Sequence, residues 1–154
     1  MPTLKTSRKL PRRRPDPKAG AKLLFSKTIA SDPGSLEPLV LRVVGILGNH
    51  GCKTGHCTEI ELALREALAN AILHGNKANR RKKVDLDCYL QKDKSVLLVV
   101  RDQGNGFNPH KVSDPTRPEN IYRAGGRGIF LIRHFMDEVE FLRNGAEIHM
   151  RKKL

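Results

Sequence analysis

The sequence predicts an α/β sandwich, a single domain in which helices pack on a sheet, and three observations carry that reading. Leu36, Leu39, Val40, Val43, Val44 and Leu47 recur three and four residues apart, the spacing of a helix with one core-facing stripe. Val96, Leu97, Leu98, Val99 and Val100 form an apolar run without a polar break, as expected of a central strand covered on both faces. Near the C-terminus two short β-prone runs flank Asn144-Gly145, the preferred two-residue hairpin turn. With 154 residues, 38% of them hydrophobic, the chain can bury one core, and two domains would be crowded.

In chain order, residues 22–30 suit a short strand, with Leu24, Ser26 and Thr28 on one face and Leu23, Phe25 and Ile29 on the other. Ser31-Asp32-Pro33 reads as a turn into a helix over 34–47, with Ser31 or Asp32 as cap and Pro33 in the first turn. Residues 48–55 break that helix. A second helix is expected over 59–77, capped by Thr58 with Glu61 three positions on, and stopped by His74-Gly75-Asn76. Val84, Leu86, Cys88 and Leu90 alternate with Asp85, Asp87 and Tyr89 as a half-buried strand, Lys92-Asp93-Lys94 turns, and 95–101 is the central strand. A long connection over 108–124, with Pro109, Pro115 and Pro118, is too long for an idle loop. Gly125-Gly126-Arg127-Gly128 opens a helix over 129–136 whose apolar face is Ile129, Leu131, Ile132 and Phe135. Strands over 139–142 and 146–150 close the chain.

Composition limits the function classes. No run of 18 apolar residues exists, so no membrane span is expected. Basic residues near the start lack a following apolar segment, which argues against a secretory signal and for an intracellular, cytoplasmic protein. Cys52, Cys57 and Cys88 do not read as a disulfide framework. Lys and Arg total 29 against 16 Asp and Glu, a net charge of +13, and six of those thirteen charges lie in residues 1–20. Pro2, Pro11, Pro15 and Pro17 oppose regular structure there, so 1–20 reads as a disordered basic arm and 21–154 as the folded domain. The arm is either simply solvated or a contact for nucleic acid or an acidic protein; without aromatics it has no base-stacking platform.

Two motifs are decoys. Gly51-Cys52-Lys53-Thr54 nearly ends like a phosphate-binding P-loop, but Cys52 stands where Gly is needed and a helix, not a strand, precedes it. His50, Cys52, His56 and Cys57 are metal-ligand types without zinc-site spacing or a second downstream pair.

Three other signals point to nucleotide chemistry. Glu66 and Asn70 lie one turn apart, about 40° around the helix, at the border of its apolar arc; they are either a solvated pair or the edge of a pocket. Asp102, at the end of the central strand, can accept a hydrogen bond from an exocyclic amine such as adenine's, and Gly104 and Gly106 let backbone approach a flat base. Gly126 and Gly128 expose backbone N–H groups at the positive end of a helix, with Arg127 as an added cation. Asn70 can supply a neutral oxygen to Mg²⁺, and Glu66 can act as general base.

Glu66, Asn70, His74-Gly75, then Asp102-x-Gly104-x-Gly106-Phe107, then Gly126-Arg127-Gly128-Ile129-Phe130-Leu131-Ile132 and Met136-Asp137-Glu138-Val139 together resemble the boxes of the GHKL, or Bergerat-fold, ATP-binding superfamily. The resemblance spans roughly residues 22–152. Within the superfamily the chain is most similar to the bacterial anti-sigma factor serine/threonine kinases. That resemblance implies a mixed, largely antiparallel sheet with helices on one face, with ATP and Mg²⁺ as cofactors. It further implies phosphorylation of a serine on a small anti-anti-sigma partner of the STAS type, sequestration of a sigma factor, and a homodimer. By the same resemblance Glu66 is the general base, Asn70 the Mg²⁺ ligand and Asp102 the reader of the adenine amine. Gly104, Gly106, Gly126 and Gly128 are the nucleotide-binding glycines, His74 and Arg127 are polar neighbours of the phosphates, and 108–124 is the ATP lid. The alternative within the same fold is an ATP-binding sequestering protein that transfers little phosphate. The sequence shows no phospho-accepting dimerisation helix and no transducer domain, which weighs against histidine kinase, gyrase and chaperone readings.

Overall fold

The structure is a computed structural model that describes residues 16–108 and 127–154. Five strands, β1 (Lys22–Ala30), β2 (Lys83–Leu90), β3 (Ser95–Arg101), β4 (Glu138–Leu142) and β5 (Glu147–Lys153), form one sheet in the order β1-β2-β3-β5-β4. Every pairing between them is antiparallel. Helices α1 (Leu36–Asn49), α2 (Thr54–Ala69) and α3 (Arg127–Phe135) complete the sandwich.

Helix α1 forms where its apolar stripe predicts, burying Leu39, Val40, Val43 and Leu47. Asp32, not Ser31, caps the short turn before it, accepting from the Gly34 amide at 3.0 Å. The α1 residues pack with Ile60, Leu64 and Leu68 of α2 onto Val84, Leu86 and Cys88 of β2, Val96, Leu98 and Val100 of β3, and Ile148 and Met150 of β5. Helix α2 touches both α1 and α3 and lies over β3 and β5, so it is the pivot of the helical layer. A Leu98→Ala substitution, at a fully buried site in the middle of β3, is expected to lower unfolding free energy by about 2–5 kcal/mol in a denaturant titration.

Strand β3 has the double burial its apolar run predicts. Leu97 and Val99, which alternate to the face away from the core helices, are 2% and 0% exposed. Charged pairs share that outer face: Arg101 binds Asp87 at 2.9 Å and Glu147 at 3.1 Å, and Glu147 binds His149 at 2.6 Å. Burial by itself would raise the Asp87 carboxyl, but hydrogen bonds from Ser26 and Arg101 hold it below its ordinary value. Residues 16–20, the described part of the basic arm, run beside this face, with Gln91 donating to the Pro17 carbonyl and Lys18 over the Tyr89 ring. Residues 1–15 lie outside the described residues.

Several local expectations are corrected. A register shift between Leu23 and Phe25 interrupts the alternation of β1; Leu24 packs against the core and Leu23 is left exposed. Helix α2 begins at Thr54, so Thr58 is an interior residue whose hydroxyl donates to the Thr54 carbonyl, and Lys53 at the cap provides no side-chain hydrogen bond. The three cysteines do not read as a disulfide framework, yet Cys52 and Cys57 are paired as a disulfide, leaving Cys88 free and buried. The connection between β4 and β5 is not a two-residue hairpin: Arg143–Gly145 forms a 3₁₀ turn, and the last strand pair is Leu142 with Glu147. Its shape is imposed from outside, because the Asn144 carbonyl accepts the Phe107 amide at 2.6 Å. Among the described residues, no helix is long and apolar enough to cross a membrane.

Candidate functional site

After Ala69, helix α2 widens into a π-type turn, Asn70–Gly75, in which the Asn76 amide reaches back five residues to Ala71 at 2.9 Å. Such wide turns re-aim side chains relative to a regular helix and recur at functional sites. Here the change falls at Asn70, so Glu66 sits on the regular helix while Asn70 and His74 are carried by the turn. All three line one cavity of about 360 Å³, with Ala67, Ala71 and Gly75 between them. The opposite wall comes from the sheet: Val100 and Asp102 at the end of β3, Ile148 of β5, Phe141 of β4, and Gly145-Ala146 from the turn.

Asp102 is 8% exposed, and burial raises its carboxyl above the ordinary value, partly offset by the Gly104 amide that donates to Oδ1 at 2.7 Å and by Lys82 and Arg143. Gly75 lies directly against this carboxylate, where a Cβ would strike the Asp102 carboxyl carbon and Oδ2. Gly104 does not line the cavity; it packs behind it, against the Gly75 carbonyl. Gly106 does line it, at φ +77, and a Cβ there would run into the Asn144 carbonyl. Only glycine meets both demands, a left-handed backbone and a close approach. Phe107 follows, edge-on to Phe141 at 5.5 Å.

The third wall is the start of α3, where Arg127, Gly128 and Ile129 line the cavity. A Cβ on Gly128 would lie 2.7 Å from Glu66 Oε2 and 3.3 Å from Asn70 Nδ2. The N-terminus of α3 therefore abuts the Glu66–Asn70 pair, and the two segments, far apart in sequence, share one end of the cavity. Helix α3 is held there by its contacts with α2. Gly126 and residues 109–124 of the expected lid lie outside the described residues.

One residue escaped the sequence reading except as part of a helix stop. Asn76 is 1% exposed, donates through Nδ2 to Ser31 Oγ at 2.5 Å and to the Lys83 carbonyl at 2.9 Å, and accepts the Gln103 amide at 2.8 Å. It thus ties the ends of β1 and of the π-type turn to the start of β2 and to the residue after Asp102. Asn76→Ala leaves the Gln103 amide and Lys83 carbonyl without their partner, an expected loss of about 2–4 kcal/mol by chemical denaturation. Its position among apolar and turn residues gave one signal, an amide at a helix exit, which equally fits an ordinary cap.

A carboxylate and an amide, Glu66 and Asn70, beside the N-terminus of α3 thus share one cavity with the buried Asp102 carboxylate and the apolar Val100, Ile148 and Phe141. The family model described as "Histidine kinase-like ATPase domain" matches residues 29–152. The chain belongs to this family. The "Anti-sigma F factor" proteins of Bacillus thuringiensis (strain Al Hakam) and Bacillus mycoides (strain KBAB4) are each 38% identical to it over 104 residues, covering 63% of this chain and 69% of theirs. The histidine kinase domain from Erythrobacter litoralis EL346 blue-light activated histidine kinase aligns with a TM-score of 0.46 and 16% identity, covering 75% of this chain and 58% of that one. As a histidine kinase-like ATPase domain, the chain is an ATP-binding protein with helices over an antiparallel sheet.

Proposed function

We propose that the chain is an ATP-dependent serine/threonine kinase and anti-sigma regulator, which phosphorylates a small anti-anti-sigma protein of the STAS type and sequesters a sigma factor. The observation that carries the reading is the meeting of Glu66, Asn70 and the start of α3 in a cavity that Asp102 also lines, in a chain 38% identical to anti-sigma F factors. The residues fit Mg-ATP. The cradle at Gly128, which a Cβ would fill, brings backbone N–H groups and a helix dipole where phosphates would lie. Asn70 provides a neutral oxygen of the type Mg²⁺ takes when it keeps waters and shares phosphate oxygens.

Asp102 accepts the adenine amine, with Val100, Ile148 and Phe141 around the ring and Gly106 allowing backbone to approach it. Asn70 would hold the Mg²⁺, which when bound neutralises phosphate charge. Glu66 accepts the proton of the partner's serine hydroxyl as the serine oxygen bonds to the terminal phosphorus of ATP; the bond from that phosphorus to the bridging oxygen breaks, and the oxygen leaves with the electron pair on ADP. Arg127, with the residues of the lid, stabilises charge on the phosphoryl group in transit, and His74 stands beside the phosphates. A homodimer accompanies this reading, with residues 21–154 as the catalytic domain and the basic arm preceding it.

Incubation with terminally labelled ATP, Mg²⁺ and an anti-anti-sigma protein tests it. Label is expected on one serine of that partner and absent when the serine is replaced by alanine. ATP binding without any transfer would leave a sequestering protein of the same fold.

A further inference from the structure

We propose that Cys52 and Cys57 are a reversible thiol–disulfide site that takes the place of an N-terminal cap on α2, closed by exchange with a low-molecular-mass disulfide. Their Cα atoms are 5.8 Å apart and their sulfurs are joined across the turn into the helix, a separation inside the range that disulfides require. The helix lacks the ordinary devices at this end. Lys53 occupies the cap in an extended conformation without a side-chain hydrogen bond, and the first turn contains no acidic residue. The backbone bonds present are those of the Cys57 amide to the Lys53 carbonyl at 2.8 Å and of the Cys52 amide to the Leu47 carbonyl at 3.1 Å. Cys52 is thereby fixed to the end of α1 and Cys57 to the first turn of α2. The bridge joins the two helices where no side chain caps the second.

Both cysteines are partly exposed and also touch the core, so small reagents reach them while their positions stay defined. Cys88 is different: it is fully buried and its thiol is pushed up to about 12 by burial, which leaves it out of exchange at neutral pH. Cys57 sits in the first turn of a sixteen-residue helix, beside His56 and after Lys53, and is partly exposed. In the forward direction the Cys57 thiolate attacks one sulfur of glutathione disulfide and forms a mixed disulfide, releasing one glutathione thiolate. The Cys52 thiolate then attacks the Cys57 sulfur and releases the second. Two protein thiols are oxidised, one small disulfide is reduced to two thiols, and the protons of Cys52 and Cys57 end on the released glutathiones or in solvent.

The site is independent of the nucleotide chemistry, although it acts on the helix that bears Glu66. Opening the bridge frees the first turn of α2 to fray, as loss of a cap does.

The full chain, fully reduced and then equilibrated with glutathione and glutathione disulfide at graded ratios, is alkylated under denaturing conditions and weighed intact. At oxidising ratios one alkylated cysteine, Cys88, is expected, with a peptide linking Cys52 to Cys57; at reducing ratios all three cysteines are alkylated. Cys52→Ser is expected to stop at the Cys57–glutathione mixed disulfide. Amide exchange of residues 54–58 should be faster in the reduced protein by about fivefold, the equilibrium factor of a lost helix cap. Three alkylated cysteines at every ratio, or a bridge that includes Cys88, would overturn the site. A bridge that forms without slowing exchange in residues 54–58 would overturn its role as a cap.

Discussion

Glu66→Ala is expected to retain ATP binding and to lose phosphotransfer by about 10²–10⁴-fold, the contribution of a positioned general base. The split follows from where Glu66 stands. Its carboxylate faces the start of α3, where the proposed function puts the phosphates, whereas the groups proposed for the base, Asp102, Val100 and Ile148, belong to the sheet wall. Removing the carboxylate leaves those contacts intact and subtracts one negative charge from the region where phosphates would sit, so affinity is expected to hold or rise slightly. Glu66→Gln separates chemistry from shape, since it fills the same space beside Gly128 but cannot take a proton. Calorimetry for ATP and single-turnover phosphotransfer on the same samples distinguish the outcomes. A Gln variant that transfers phosphate at the wild-type rate would remove Glu66 from the mechanism, while loss of binding in both variants would make it a structural residue of α2.

Asp102→Asn is expected to weaken ATP binding by about 10–100-fold, because a charged acceptor aimed at an amine is replaced by a neutral amide in a buried position. The same substitution should move stability the other way at neutral pH. Burial raises the Asp102 carboxyl above an unfolded aspartate, so the folded protein holds the proton more tightly than the unfolded chain. Below the unfolded value both states are protonated and there is no penalty. As pH rises from there through the raised folded value, the unfolded state ionises first and stability falls, and above it the cost of a buried charge is fully present. The neutral amide of the Asp102→Asn variant carries no such cost, and its oxygen can still accept the Gly104 amide. Thermal unfolding at acidic and neutral pH should therefore show the variant gaining on the wild type as pH rises, while ATP affinity loses the part of its pH dependence that comes from the Asp102 carboxyl. A difference between the two proteins that stays flat with pH would mean that Asp102 is not the buried, raised carboxylate of the site.

These two residues also mark how much was legible in the chain. Glu66 and Asn70 could be placed near one pocket edge because helical period is a property of local sequence, and α2 is regular as far as Ala69. Asp102 could be placed at a strand end because Val96 to Val100 is apolar without a break. The widening of the helix at Asn70 could not be read, since nothing in a run of good helix formers encodes a π-type turn; the backbone there is tied down by Asn76, whose partners lie at the end of β1, on β2 and in the loop after β3. The Asn144-Gly145 turn misled for the same reason. Its dipeptide favours a tight hairpin when isolated, but its carbonyl is used by Phe107 from another part of the chain.

By itself the sequence determined which segments are apolar with helix or strand period, and which residue types stand at their ends. That is enough for the α/β sandwich, for α1 and β3 with their buried faces, and for the Glu66–Asn70, Asp102-x-Gly104-x-Gly106 and Gly126-Arg127-Gly128 groups, because these depend on spacing and side-chain chemistry within short windows. Only the tertiary structure decided that Gly128 closes on Glu66 and Asn70, that Gly75 and Gly104 pack against the Asp102 carboxylate, and that Cys52 meets Cys57 at the start of α2. Those contacts join segments whose approach is set by the packing of α2 against α1, α3 and the sheet, and packing depends on the whole core at once.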